Sequence, residues 1–212
     1  MTIKTILFDL DGTLIDTNEL IIESFKHTLG QYVDREFSRE EIISFIGPPL
    51  KDTFEKILPE KIEEMMATYR EHNLAHHDAY VEIYDGVFET VKALHEDGYA
   101  MAIVTTKLRE PAIKGLKLTN LYQFFDVIVG LDDVKHAKPD PEPVLKAMNA
   151  LGGEPESTIM VGDNMHDVYA GKNAGMKTAG VAWSAKGRDF IASLEPDYIL
   201  EHMSDLRTIV KG

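Results

Sequence analysis

Short apolar runs recur along the chain, and most end in polar or glycine-bearing loops. They are Thr5–Phe8, Ala100–Val104, Val127–Val129, residues 158–161 and residues 178–182, with a weaker run at Tyr198–Leu200. Several are apolar throughout rather than alternating, the pattern of a parallel strand covered by helices on both faces. Patterns of helical period lie between the runs. Val87, Val91 and Leu94 share a face ahead of Gly98. Val144, Met148 and Leu151 share another, opened by Pro141 and Pro143 and stopped by Gly152-Gly153, and a third stretch, residues 168–174, ends at Gly175. Proline suits a helix start, where its missing N–H costs nothing, and glycine suits a helix end. Strand and helix in alternation predict a doubly wound, Rossmann-like, mostly parallel α/β sheet, with ligands at the C-terminal ends of its strands.

One stretch breaks the alternation. From Asp16 to Ile83 there is no convincing strand pattern. Asp16 with Glu19 resembles a helix-start box, and Ile21, Phe25, Thr28 and Leu29 give a helical stripe closed by Gly30. Ser38 with Glu41 is a second box, ahead of Ile42 and Phe45. Gly47-Pro48-Pro49 interrupts, and a helical pattern resumes through Met65 and Tyr69. The expected organisation is a core of residues 1–15 and 84–212, with a helical cap, residues 16–83, inserted after the first strand.

Composition narrows the class. A chain of 212 residues buries roughly 70–75 % of its unfolded surface and needs no disulfide or structural metal to fold. It has no cysteine, which removes thiol catalysis and thiolate metal sites and agrees with a reducing compartment. No stretch reads as a signal peptide or a membrane span, so a soluble cytoplasmic protein is expected. The charge, 22 basic residues minus 36 acidic ones, is −14. That field disfavours nucleic acid and anionic membrane as partners, and it serves solubility. It would also repel a phosphorylated substrate, so a site for one must build local positive charge.

Four groups of residues carry candidate chemistry. Asp9 and Asp11, in Phe8-Asp9-Leu10-Asp11-Gly12-Thr13, directly follow the first run. If the extended backbone continues, their spacing puts both carboxylates on one side. Two close carboxylates require a cation or a shared proton, and a hard divalent ion, magnesium by preference, suits them; a turn with solvated aspartates is the alternative. Asp163 follows another apolar run, and Asp167 comes four residues later, at a helix start where it can also serve as a cap. Thr105 and Thr106 close a third run, where a hydroxyl can bond a phosphate oxygen or merely a turn. Lys138, in Ala137-Lys138-Pro139-Asp140-Pro141, is a cation on a stiffened backbone or an ordinary surface lysine.

In order and placement these groups resemble the four signature motifs of the haloacid dehalogenase superfamily, over essentially the whole chain. Asp11 is similar to the phosphatase branch, since dehalogenases lack the second aspartate, and the inserted helices resemble the superfamily's small cap. The resemblance implies that Asp9 attacks phosphorus, forming an aspartyl-phosphate, and that Asp11 protonates the leaving group and then activates water. It further implies that Thr105, Thr106 and Lys138 hold the phosphoryl group. Magnesium would sit on Asp9, the Asp11 backbone carbonyl and Asp163, with Asp167 in support.

Within the superfamily the chain is most similar to inorganic pyrophosphatases and phosphoglycolate phosphatases. The pointers are residues 45–50 (Phe-Ile-Gly-Pro-Pro-Leu), residues 104–107 (Val-Thr-Thr-Lys) and residues 181–188 (Val-Ala-Trp-Ser-Ala-Lys-Gly-Arg). Phosphoglycolate phosphatases usually carry asparagine where Thr106 stands, which favours pyrophosphate. Gly47 and Pro48 are then the candidate substrate loop. Lys107, Lys186 and Arg188 are either charges for a second phosphate or solvated surface residues. A sugar phosphomutase of the same fold is the competing class, and Gly47-Pro48-Pro49 offers no basic residue for it, although Lys51 is near. A non-catalytic binding protein on this scaffold would not need all the acidic residues and Lys138. His76-His77-Asp78 is ligand-rich, but adjacent helical histidines diverge. His166 reads as a loop residue, and Trp183 as a core residue.

Overall fold

The computed structural model describes residues 2–212. Six parallel strands form one sheet in the order β5-β4-β1-β6-β7-β8: β1 is Thr5–Phe8, β4 Ala100–Val104, β5 Val127–Val129, β6 Thr158–Gly162, β7 Lys177–Val181 and β8 Tyr198–Leu200. The central strand β1 pairs with β4 on one side and β6 on the other, with Phe8 opposite Ile103 and Val161. The chain therefore winds outward in both directions from β1. The crevice at the C-terminal ends of β1, β4 and β6 is the switch point where such sheets bind ligands.

The apolar runs are continuous because both faces of the sheet are covered. Ile6, Phe8, Ile103 and Val161 point into one core layer with Val87, Val91 and Leu94 of α5 (Val87–Glu96) and Leu116 of α6 (Arg109–Leu118). Leu7, Ala102, Val104 and Met160 point into the other. There they meet Val144 and Met148 of α7 (Glu142–Ala150) and Ala170 of α8 (Met165–Asn173). Alternate residues of one strand thus feed opposite layers. Two short helices, α9 (Arg188–Ser193) and α10 (Asp205–Lys211), complete the chain.

Between β1 and α5 lie four helices: α1 (Asn18–Tyr32), α2 (Arg39–Ser44), α3 (Leu50–Ile57) and α4 (Ile62–Tyr80). They share their own apolar cluster. Phe25 is at its centre, with ring centroids 4.9 Å from Tyr69 and 5.7 Å from Phe54. The Ser38–Glu41 capping box opens α2 as the sequence predicts.

The structure corrects four local expectations. The stretch read as strand-free is bounded by a two-residue antiparallel ribbon, β2 (Ile15–Asp16) with β3 (Glu82–Ile83), which lays the chain's exit and return side by side. Two residues are too few to show a period. Gly30 does not close α1, which runs on to Tyr32. Asp16 does not form a box with Glu19; its carboxylate accepts from the Asn18 N–H at 3.0 Å. His166 lies in the first turn of α8 and not in a loop.

Candidate active site

The backbone of β1 continues one step beyond its last strand residue. The Asp9 N–H donates to the Val161 carbonyl at 2.9 Å. That step holds the Asp9 carboxylate in the crevice, where it is buried. Lys138 arrives from the loop before α7, across a cis bond to Pro139. Its ammonium donates to Asp9 Oδ1 at 2.7 Å, to Asp167 Oδ1 at 2.6 Å and to the Val104 carbonyl at 2.7 Å. All three of its protons are used, and with only 3 % of the residue exposed this is no surface lysine. Burial opposes its charge, but Asp167 and Asp9 more than offset that and hold it above the ordinary lysine range.

Asp163 follows β6, and Asp167 lies one turn into α8, where its Oδ2 accepts from the Asn164 N–H at 3.0 Å and closes a capping box. Asp167 is thus both a cap and a member of the site. Asp9, Asp163 and Asp167 each offer a carboxylate oxygen, all within 4.8 Å of one another. Burial, only partly countered by Lys138, pushes Asp9 up to about 7. Burial and then repulsion from Asp167 and Asp9 raise Asp163 well above the usual carboxylate range. One ammonium bonds two of these three buried carboxylates, and among the described residues no protein donor reaches the third, Asp163. An oxygen-only donor set that lacks positive charge fits a hard divalent cation.

Gly12 makes room for this group. Its φ is +81°, and a Cβ there would stand 2.5 Å from Asp163 Oδ2. Gly12→Ala combines left-handed strain with displacement of that carboxylate. Its expected result is a melting temperature lowered by several degrees and divalent-cation binding weakened at least about tenfold. A thermal melt, repeated across a titration with magnesium, checks both.

Asp11 faces elsewhere. Its Oδ1 accepts from Lys107 Nζ at 2.7 Å and from Thr17 Oγ1 at 2.8 Å, so its carboxylate is outside the acidic triple. Thr105 extends β4 through an N–H bond to Val129, and its buried hydroxyl accepts from the Lys107 N–H at 3.1 Å, which leaves the hydroxyl proton available. Thr106, expected to hold phosphate, instead commits its hydroxyl proton to the Gly47 carbonyl at 3.1 Å.

These groups open onto a cavity of about 370 Å³ between the crevice and the inserted helices. Its acidic floor is Asp9, Asp11, Asp163 and Asp167 beside Lys138, and Gly47, Pro48, Thr105, Thr106 and Lys107 also line it. Much of the opposite wall is apolar, from Phe25, Phe45, Leu50 and Met66. Of the three extra cations considered in the sequence, only Lys107 lines the cavity. Lys186 is half-buried and donates to the Ile46 carbonyl at 2.9 Å. Arg188, the first residue of α9, is exposed and paired with Glu201 at 2.7 Å, outside the cavity lining.

Asn164, which no sequence pattern singles out, donates from Nδ2 to the Ile46 carbonyl at 3.0 Å. Tyr69, a helical core residue by its periodicity, also lines the cavity, and its phenol is held neutral by burial and the charge of Asp11. Asn164 directly follows Asp163, but no local pattern shows which distant carbonyl it reaches. His77 is buried and lines the cavity, with Nδ1 2.8 Å from Asp78, whereas His76 is exposed. Trp183 packs on the core, its indole N–H donating to the Thr13 carbonyl.

Comparison with known proteins agrees with this geometry. The family model for haloacid dehalogenase-like hydrolases matches residues 6–181. A protein named pyrophosphatase PpaX from Halalkalibacterium halodurans is 60 % identical over 210 residues, 99 % of this chain and 98 % of its own. One of the same name from Anoxybacillus flavithermus is 59 % identical with the same coverage. A solved haloacid dehalogenase-like family hydrolase from Streptococcus pneumoniae superposes with a TM-score of 0.87 at 26 % identity, covering 98 % of both chains. Signature carboxylates, sheet order and likeness along the whole chain agree, and the chain belongs to the haloacid dehalogenase-like hydrolase family.

Proposed function

We propose that this protein is a magnesium-dependent inorganic pyrophosphatase that acts through a phosphorylated Asp9. The observation that carries the reaction is the Asp9 carboxylate, fixed by Lys138 at the floor of the cavity, with Asp11 two residues on. The full-length likeness to proteins named pyrophosphatase supports the substrate. So does the Lys107 ammonium beside Asp11, which supplies a second positive charge in an acidic chain.

In the first half-reaction an Asp9 oxygen attacks one phosphorus. The bond from that phosphorus to the bridging oxygen breaks, and Asp11 gives a proton to the departing phosphate. In the second, Asp11 takes a proton from water as the water oxygen attacks the phosphorus of the aspartyl-phosphate. The second phosphate leaves and Asp9 is restored. A carboxylate nucleophile thereby divides one difficult displacement into two easier ones. The Thr105 hydroxyl donates to the equatorial oxygens in both steps, and the Lys138 ammonium beside Asp9 offsets their charge. Asp9, Asp163 and the Asp11 backbone carbonyl would hold magnesium, with Asp167 in support, and the bound ion offsets charge on the phosphoryl oxygens. Residues 16–83 act as the cap that excludes water, with Gly47 and Pro48 over the leaving group.

The cavity has more room than two linked phosphates fill, and its apolar wall favours one second reading, a small phosphomonoester such as phosphoglycolate. A phosphate-release screen with magnesium separates the two. Pyrophosphate should show the highest kcat/KM, with phosphoglycolate next. Lys107→Met should lower kcat/KM for pyrophosphate about ten- to a hundred-fold, through KM more than kcat, as expected for a lost charged hydrogen bond. An aryl phosphate, with no second charge, should be affected less. A sugar phosphate or phosphoglycolate ahead of pyrophosphate by tenfold overturns the substrate and leaves the hydrolase chemistry standing.

A further inference from the structure

Two adjacent backbone carbonyls in the loop between α2 and α3 are met by three side chains from three separate core loops. The Ile46 carbonyl accepts from Asn164 Nδ2 at 3.0 Å and from Lys186 Nζ at 2.9 Å, and the Gly47 carbonyl accepts from Thr106 Oγ1 at 3.1 Å. The donors follow β6, β7 and β4 respectively. A carbonyl has two lone pairs, so Ile46 is fully used. The fit is close at Gly47, whose φ is +118°, and a Cβ there would lie 2.7 Å from Asn164 Cγ. Asn164 is itself buried, with Oδ1 3.1 Å from His166 Nδ1.

Each donor is also tied to a residue of the site. Thr106 follows Thr105, and Asn164 follows Asp163. The Lys186 N–H donates to Ser184 Oγ at 3.2 Å, while that hydroxyl donates to the Asp163 carbonyl at 2.8 Å. The loop lines the same cavity as Asp9 and Lys138.

We infer that Thr106, Asn164 and Lys186 form a latch that fixes the Ile46–Gly47 backbone over the leaving group, making them positioning residues for compact substrates. The inference rests on the phosphohydrolase reading and assigns these three side chains to discrimination among leaving groups. Because the latch grips main chain, it fixes where the loop sits without reading the loop's own side chains. Lys186 and Thr106 are the residues to change, since Asn164 adjoins Asp163.

Lys186→Met and Thr106→Val are compared with wild type and with the conservative Lys186→Arg and Thr106→Ser. Hydrogen exchange, followed by mass spectrometry on the peptide spanning residues 45–53, reads the latch without any substrate. Exchange there should quicken in Lys186→Met and Thr106→Val and return toward wild type in Thr106→Ser and Lys186→Arg, while peptides of α1 and α4 stay unchanged. In parallel, kcat/KM for pyrophosphate should fall about tenfold in Lys186→Met and about threefold in Thr106→Val, through kcat more than KM. 4-Nitrophenyl phosphate, with a leaving group that needs little positioning, should change less than twofold. Unchanged exchange in both variants overturns the latch whatever the substrate. Faster exchange with equal losses on both substrates overturns its role in discrimination. A wild type that ignores pyrophosphate overturns the substrate reading, and the exchange result still decides the latch.

Discussion

Asp9→Asn should lower turnover by at least about a thousandfold with every phosphorylated substrate, in a protein that remains folded. The size of the loss follows from the geometry. Asp9 is the carboxylate fixed at the end of the central strand, and its Oδ1 is oriented by Lys138 at 2.7 Å. An amide in its place is a poor nucleophile, and Asp163 and Asp167 are committed to the acidic triple, so no neighbour supplies a substitute. The variant should not unfold, because the change removes one negative charge from a cluster where burial and like charges already push Asp9 up to about 7. Lys138 keeps Asp167 and the Val104 carbonyl as partners. A steady-state assay beside a thermal melt separates the two effects. Turnover within about tenfold of wild type would refute the nucleophile.

Removal of divalent cations should abolish activity, and magnesium should restore it fully. The donors are carboxylates, and burial deprives them of the water that would otherwise screen their repulsion. Calcium should bind and support little turnover, since its longer, looser coordination misplaces the reacting groups. Binding also has a readout independent of turnover. An ion that binds the folded chain alone raises the melting temperature in proportion to the logarithm of its concentration. Magnesium should therefore stabilise wild type by several degrees and Asp163→Asn much less. Full activity in excess chelator, or equal magnesium stabilisation of both proteins, would contradict the acidic triple as the site.

What the sequence made legible was whatever leaves a local trace. The runs at Thr5–Phe8, Ala100–Val104 and Val127–Val129 coincide with strands because burial on both faces demands uninterrupted apolar side chains, and the weaker run at Tyr198–Leu200 is the edge strand, with Tyr198 exposed. Asp9 and Thr105 could be placed because each directly follows such a run, and Asp163 because it comes one glycine after the run at residues 158–161. Other features depended on distance in sequence. The ribbon Ile15–Asp16 with Glu82–Ile83 is too short for periodicity. Helix α6 leaves only a weak periodic trace because its buried face includes Ala112 and Gly115, which carry little hydropathy. Asn164 and Lys186 reach a carbonyl 118 and 140 residues away, and nothing in their neighbourhoods points there. Arg188, near Lys186 in sequence, is the first residue of α9 and pairs with Glu201 instead.

The central claim is that the phosphoryl group passes through Asp9, and rapid quenching during turnover tests it most directly. Asp11→Asn slows both half-reactions, but a departing phosphate needs less proton help than an attacking water does, so the phosphorylated protein should accumulate when that variant meets labelled pyrophosphate and magnesium. Acid quenching followed by peptide mapping should then find one phosphoryl group per chain, on the peptide that contains Asp9. It should be absent when Asp9→Asn is introduced alongside. Release of labelled phosphate with no label on that peptide at any quench time, or label on another residue, would contradict the account.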